Sequence, residues 1–387
     1  MRLLNPNISN LEAFLNAAST CEIELAIDNQ GNCQITDWYD FKEKIVSVQH
    51  LYLTQKARNE IETIPPFETH PYIGANNIPN NTHRTLVLGT FPPPSYLHEL
   101  YTDLSNRNLL RGIDIDATPT LYYFYGNRGS LWDIIGIELN QNTINEYLEN
   151  SNIFISDIIL FAQRKSFTEN RAADSNYVNI IPNIPLLTHL IEEENTIENI
   201  VFTSKQWKVT DGAGRGRRKS NYVPESIQFT EENSAISLFF RTLAELNYTL
   251  GFQKLGTQEI VSFTPENYKR LNEEFTDLFA FNLLINNRLF KINIGDSPSG
   301  NAFTPFDSSS FVKWIKNNYG EPGVQVLRDN PRNAKREVIK RERKTPIQRD
   351  LNYPVGRDIC NDFQHDMYTM FFHRNYDLIQ QIQNQNI

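Results

Sequence analysis

The sequence predicts an α/β protein, a central, mostly parallel sheet layered between helices, with a further segment at each end. Three observations carry that expectation. Between about residues 81 and 325, short apolar strand-like runs alternate with helix-like segments. Three loops built from small and polar residues lie just beyond strand ends: GTFPPPS at 89–95, TSKQW at 203–207 and GDSPSGNAF at 295–303. The chain of 387 residues, 40% hydrophobic and 12% aromatic, has the length and the apolar content for one large domain with elaborations or for two domains.

The first segment, residues 1–80, reads as an N-terminal extension of unknown role. It holds a helical stretch at 10–18, then two strands around the Asn29-Gln30-Gly31 turn, then a connector rich in Pro and Asn. Within the α/β region, residues 81–325, strand candidates are Thr85–Gly89, 153–160, 199–203, 259–263 and 289–294. Helical patterns fall at 131–135, 185–194 and 268–284. The remainder, 326–387, reads as a basic C-terminal extension followed by an apolar helical pattern around 367–379.

Composition narrows the function. No apolar run approaches the roughly 18 residues of a membrane span, so no membrane partner is expected. The N-terminus lacks a signal-like pattern, and Cys21, Cys33 and Cys360 are scattered, so a reducing, cytoplasmic setting is expected. A net charge of −9 excludes a uniformly basic surface, yet two clusters stand out. GAGRGRRKS carries Arg215, Arg217, Arg218 and Lys219 with no acid, and 328–349 holds nine basic residues against Asp329, Glu337 and Glu342. Such clusters on an acidic background are the electrostatic footprint of a polyanion; the second also reads as a solvated helix with i,i+4 pairs such as Glu337–Arg341.

The chemistry converges on the loops. Three consecutive prolines after Gly89 end a strand abruptly, because they lack N–H donors and fix φ. In a parallel sheet, loops at the carboxyl ends of strands meet in one crevice, where ligands bind. A fourth segment, YYFYGNRGSLWDIIG at 122–136, passes from an aromatic run through a glycine-flanked turn into a helix. No metal-ligand cluster, Walker sequence or strand-end G-x-G-x-x-G is present, so neither a metal nor any other cofactor is expected.

LVLGTFPPPS, YYFYGNRGSLWDIIG, ENIVFTSKQW and INIGDSPSGNAF stand in the order found in the uracil-DNA glycosylase superfamily. The chain resembles most its mismatch-specific and hypoxanthine-excising branches, over about residues 81–320. There a Gly-x-x-Pro loop follows the first core strand, matched by Gly89–Pro92, and a second loop follows the last, matched by 297–300. Tyr123, Arg128 and Trp132 match the branch's middle segment. The resemblance implies a three-layer glycosylase-like fold and hydrolysis of the N-glycosidic bond of a flipped base, with DNA as partner.

It also assigns expected roles. Gly89, Thr90, Phe91, Pro92, Tyr123, Tyr125, Arg128, Ser204 and Asn301 would line the pocket, and Ser297 and Ser299 would donate hydrogen bonds to the departing base. Arg215, Arg217, Arg218 and Lys219 would contact DNA. Three residues compete to orient the water: Asn127 in its glycine-flanked turn, Asp157 interrupting IFISDIILF, and Asp133 at a helix start, where the helix dipole alone accounts for an acid. The sequence departs from the family where Phe91 replaces the usual Asp or Asn, where Gly129 replaces an Asn, and where Ser297 replaces a His or Asn. The resemblance itself implies a deaminated base, uracil or hypoxanthine; the departures point to a bulkier one, such as glucosylated hydroxymethylcytosine in phage DNA, which would make the protein an antiviral glycosylase. The rival expectations are a catalytically inactive module that recognises damaged or modified DNA, and an RNA-binding protein that uses the Arg-Gly segment.

Overall fold

A computed structural model of the chain describes residues 26–27, 33–34, 67–69, 79–91, 131–164, 177–193, 196–203, 207–211, 227–230, 234–298, 308–329, 346–354 and 358–386. The elements in order are β1 (Ala26–Ile27), β2 (Cys33–Gln34), β3 (Phe67–Thr69), β4 (Thr85–Gly89), α1 (Leu131–Ile135), α2 (Gln141–Ser151), β5 (Ile153–Asp157), β6 (Ile159–Arg164) and β7 (Tyr177–Pro182). They continue with α3 (Ile184–Glu192), β8 (Asn199–Phe202), β9 (Val209–Thr210), β10 (Gln228–Phe229), α4 (Ala235–Glu245), β11 (Leu250–Gln253), β12 (Ile260–Ser262), α5 (Tyr268–Phe275), β13 (Ala280–Ile285) and β14 (Arg288–Ile294). The last helices are α6 (Ser309–Asp329), α7 (Pro346–Asp350), α8 (Ile359–Phe372) and α9 (Tyr376–Gln383).

Seven strands form the central sheet in the order β12-β11-β13-β14-β8-β4-β5. β14, β8, β4 and β5 pair in parallel, and β12, β11, β13 and β14 pair antiparallel, with β11 between β12 and β13. Within this sheet only β12 and β13 oppose the common direction, so the sheet is mixed but mostly parallel. Strand β4 is buried throughout, which is why it reads as a continuous apolar run rather than an alternation. Leu86 and Leu88 enter one core with Phe202, Phe252, Phe281 and the apolar sides of α3 and α4; Val87 enters the other with α1, α6 and α8. The expected α/β layering is therefore present, with helices on both faces.

Two expectations need correction. The stretch 153–160 is two strands, not one: Ile158 N–H donates to Gly89 O at 3.0 Å as the chain leaves the central sheet. β6 then joins β3 and β7 in a separate three-stranded sheet. The helical pattern at 268–284 stops at Phe275, and its second half is strand β13. There Phe281, Leu283 and Ile285 all enter the first core, a period of two that an apolar run of this length obscures. Asn286 and Asn287, at φ 47° and 68°, supply the two left-handed residues that turn β13 tightly into β14. β1 and β2 pair antiparallel with Ala26 opposite Gln34, in keeping with the two strands expected there; the expected turn at 29–31 lies outside the described residues.

The segment after residue 325, read from sequence as an extension, supplies α7, α8 and α9 to the second helical layer. Phe363, Met367, Tyr368 and Phe371 are buried in the same core as Val87 and Trp132. Polar anchors fix this layer to the sheet. The Asn199 amide donates to Thr85 Oγ1 at 3.1 Å and to the Phe371 carbonyl at 2.9 Å, and accepts from Asn293 Nδ2 at 2.5 Å. Gln383 treats Ala280 as a strand neighbour would: its Oε1 accepts from Ala280 N at 2.8 Å and its Nε2 donates to Ala280 O at 2.6 Å.

Gln383→Ala leaves that buried N–H and C=O unpaired. Urea titration should therefore show a loss of about 1–3 kcal/mol with an unchanged m-value. A loss below about 0.5 kcal/mol, the range of an ordinary surface change, would show that α9 does not hold the sheet this way.

Candidate functional site

All four parallel strands deliver their carboxyl ends to one edge of the sheet. Register sets what meets there: Gly89 on β4 lies opposite Asp157 on β5, and Leu88 opposite Phe202 on β8. Past these pairs the backbone stitches the loops together. Thr203 N–H donates to Leu88 O at 3.4 Å, Gly295 N–H to Phe202 O at 2.7 Å, and Ile159 N–H to Thr90 O at 3.1 Å. The edge thus gathers Gly89–Thr90–Phe91, Asp157, Thr203 and Gly295–Asp296–Ser297. Gly89 and Asp157 are buried, while Thr90 and Ser297 are partly exposed. Chain order β4, β5, β8 against sheet order β5-β4-β8 makes the β4/β8 boundary a topological switch point, where open α/β sheets bind ligands.

Asp157 is 4% exposed at the last position of β5. Its backbone is held by Asn183, whose Nδ2 donates to Asp157 O at 3.1 Å and to Ser156 Oγ at 3.4 Å. Asn183 also begins α3, its Oδ1 accepting from Leu186 N at 3.2 Å. One buried amide therefore fixes both the carboxyl end of β5 and the start of the helix. The signal for it in the sequence is Pro182-Asn183-Ile184-Pro185, an Asn cap directly before a Pro-started apolar helix.

Phe91 follows Gly89 and Thr90 but is not an open platform at the edge. It is 7% exposed, packs edge-to-face on Tyr177 with centroids 5.6 Å apart, and its carbonyl accepts from Tyr177 Oη at 3.4 Å. Asp133 is exposed in the first turn of α1, whose neighbours Leu131 and Trp132 are buried. Trp207, closing the loop after β8, is in the first core and stacks on Phe252 at 5.7 Å. Pro92, Tyr123, Tyr125, Asn127, Arg128, Ser204, Arg215, Arg217, Arg218, Lys219, Ser299 and Asn301 lie outside the described residues. Of the expected site, the structure thus gathers Gly89, Thr90, Asp157 and Ser297 at one edge, with Phe91 turned into the core beneath it.

The loop after β14 has partners that the sequence reading missed, and they come from α8. Tyr368 Oη donates to Asp296 O at 2.6 Å, and Gln364 Nε2 donates to Ser297 O at 3.1 Å. Gly295 is required by that approach, since a Cβ there would lie 2.6 Å from Tyr368 Oη and 2.7 Å from its ring. Their trace in the sequence is the apolar helical pattern near 367–379, which signals a buried helix but not what it covers. The thiol of Cys360 is buried on the same helix, and burial together with the Asp358 and Asp296 carboxylates pushes its pKa up.

Among the described residues, no group of three or more His, Cys, Asp or Glu side chains converges as a metal site, and no helix is long and apolar enough to cross a membrane. Comparison of the chain with protein-family models, with curated proteins and with solved structures gives no match.

A thiol held protonated and covered should be inert. In a Cys21→Ser, Cys33→Ser background, Cys360 should resist iodoacetamide at pH 8 and react promptly in urea, as followed by intact mass. Fast alkylation of the native protein would mean that α8 does not seal against the 295–297 loop.

Proposed function

We propose that the protein is a monofunctional DNA N-glycosylase of uracil-DNA glycosylase-like fold, acting on a flipped deaminated or hypermodified base. One observation carries this reading: the two loops that resemble the superfamily's motifs leave β4 and β14 at the same edge of the sheet, and Asp157 stands beside the first of them, opposite Gly89. Their starting glycines, Gly89 and Gly295, are 206 positions apart in the chain.

In this reading the base enters the crevice at the β4/β8 boundary, over the backbone of Gly89 and Thr90. Breaking the glycosidic bond develops positive charge on the sugar and negative charge on the departing base. Asp157, a carboxylate at the strand end, orients the attacking water and accepts its proton, and Ser297 donates to the base. Asn127 is the other candidate for the water. The bases favoured by the departures from the family are bulky ones, such as glucosylated hydroxymethylcytosine, and the clusters at 215–219 and 328–349 would meet phosphates.

One observation favours the second reading, an inactive module that recognises modified DNA. The position at which many members of the superfamily carry Asp or Asn holds Phe91, and its ring is buried.

An alkali-cleavage assay for abasic sites separates the two. Its substrates are duplexes carrying uracil, hypoxanthine or xanthine, and phage genomic DNA with plain or glucosylated cytosine. The enzyme should cut at least one class, and Asp157→Asn should lower the single-turnover rate by about 10²-fold or more with binding retained. Full activity in Asp157→Asn together with loss in Asn127→Ala would transfer the water-orienting role to Asn127. Binding of modified DNA with no abasic product at stoichiometric protein would establish the inactive module.

A further inference from the structure

We propose that Tyr368 and Gln364 of α8 are positioning residues for the loop after β14, which makes the C-terminal helical layer an integral part of the site. The catalytic meaning of that loop rests on the glycosylase reading; the brace itself does not.

The chain leaves β14 at the carboxyl edge, and residues 295–298 belong to no helix or strand. Gly295 N–H still continues the ladder to Phe202 O at 2.7 Å, one residue past the pairing of β14 with β8, which ends at Ile294, and two carbonyls follow at 296 and 297. Both are taken by α8: Asp296 O by the Tyr368 hydroxyl and Ser297 O by the Gln364 amide, four residues apart on one face of the helix. Tyr368 is 1% exposed and Gln364 is 4% exposed, and the Tyr368 bond to Asp296 O is buried from water.

Shape adds to hydrogen bonding. The Tyr368 ring occupies the space that any side chain at 295 would need, so glycine at 295 and tyrosine at 368 are one fitted pair. Helix α8 is itself fixed to the sheet. Phe371 O, near its carboxyl end, receives the Asn199 amide at 2.9 Å. The chain of contacts thus runs from Asn199, the first residue of β8, through α8, to the loop at the carboxyl edge. A loop that must hold a hydrogen-bond donor against a developing charge needs such a support, because the donor works only when it is already in place.

The test has one arm that needs no enzymatic activity. Native-state hydrogen exchange of the Gly295 and Asp296 amides is compared in wild type, Tyr368→Phe and Gln364→Leu, alongside the amides of β4. The brace predicts roughly five- to tenfold faster exchange at 295–296 in either variant, with β4 protection unchanged. Unchanged exchange at 295–296 overturns it, as does an equal rise at β4, which would mark a general loss of stability. In a second comparison, Gly295→Ala should destabilise the protein, and the double variant Gly295→Ala/Tyr368→Leu should cost less than the sum of the two single changes; simple additivity would also overturn the fitted pair.

The activity arm tests what the brace serves. In the abasic-site assay, Tyr368→Phe should lower the single-turnover rate about tenfold with DNA affinity within about twofold of wild type. If wild type makes no abasic product, the glycosylase reading fails while the exchange result still decides the brace. If wild type is active and Tyr368→Phe matches it, the brace has no catalytic role.

Discussion

The register of β4 against its two neighbours is the constraint on which the rest depends. Thr85 pairs with Ile153 on one side and with Asn199 on the other, and the alignment holds to Gly89 against β5 and to Leu88 against β8. Because the strand is buried on both faces, a slip by one residue would exchange Leu86 and Leu88 with Val87 between two different cores. The same alignment sets Gly89 beside Asp157 and brings the chain leaving β8 up to Leu88. A site at this edge is therefore a consequence of core packing several residues away, and it inherits the rigidity of that core.

The two helical layers share the work unequally. The first is an apolar mass in which Trp207, Phe240, Phe252 and Phe281 meet ring to ring. The second is joined to the sheet by directed polar contacts as well: Asn199 to Phe371, Gln383 to Ala280, and α8 to the 295–297 loop. Burial is non-directional, whereas buried amides left unpaired are costly, so these contacts choose one placement of α8 and α9 among the many that apolar packing would accept. That explains how a segment far from the motifs in sequence comes to support one of them.

Much of the sheet was legible in the sequence. The strand ending at Gly89, the one opening at Ile153, the one at Asn199 and the one before Gly295 stand out as apolar runs bounded by turn residues, and together they are the parallel quartet. Less legible were β11 and β13. Leu250–Gln253 is only four residues long, and the apolar run at 280–285 follows a helix without a proline or glycine to mark the break. For the site, local signals located Gly89 and Asp157, since a stop signal and a carboxylate in an apolar run are visible without a fold. Phe91 read as a pocket-lining residue because its loop reads as solvent-facing, and only the tertiary contact with Tyr177 turns it inward. Tyr368 and Gln364 were illegible, because nothing in a helix's own pattern says which loop its buried face will meet.

The central claim is that the carboxyl edge of the parallel strands is where nucleic acid engages this protein. The most direct measurement is photocrosslinking with a duplex that carries a photoreactive modified base, followed by mapping of the adducts by mass spectrometry. Adducts on Gly89, Thr90, Asp157, Thr203 or Ser297 are the predicted result. Adducts confined to the opposite edge, at Arg84, Glu198 and Arg374, or to the outer surface of α6 and α9, would contradict it.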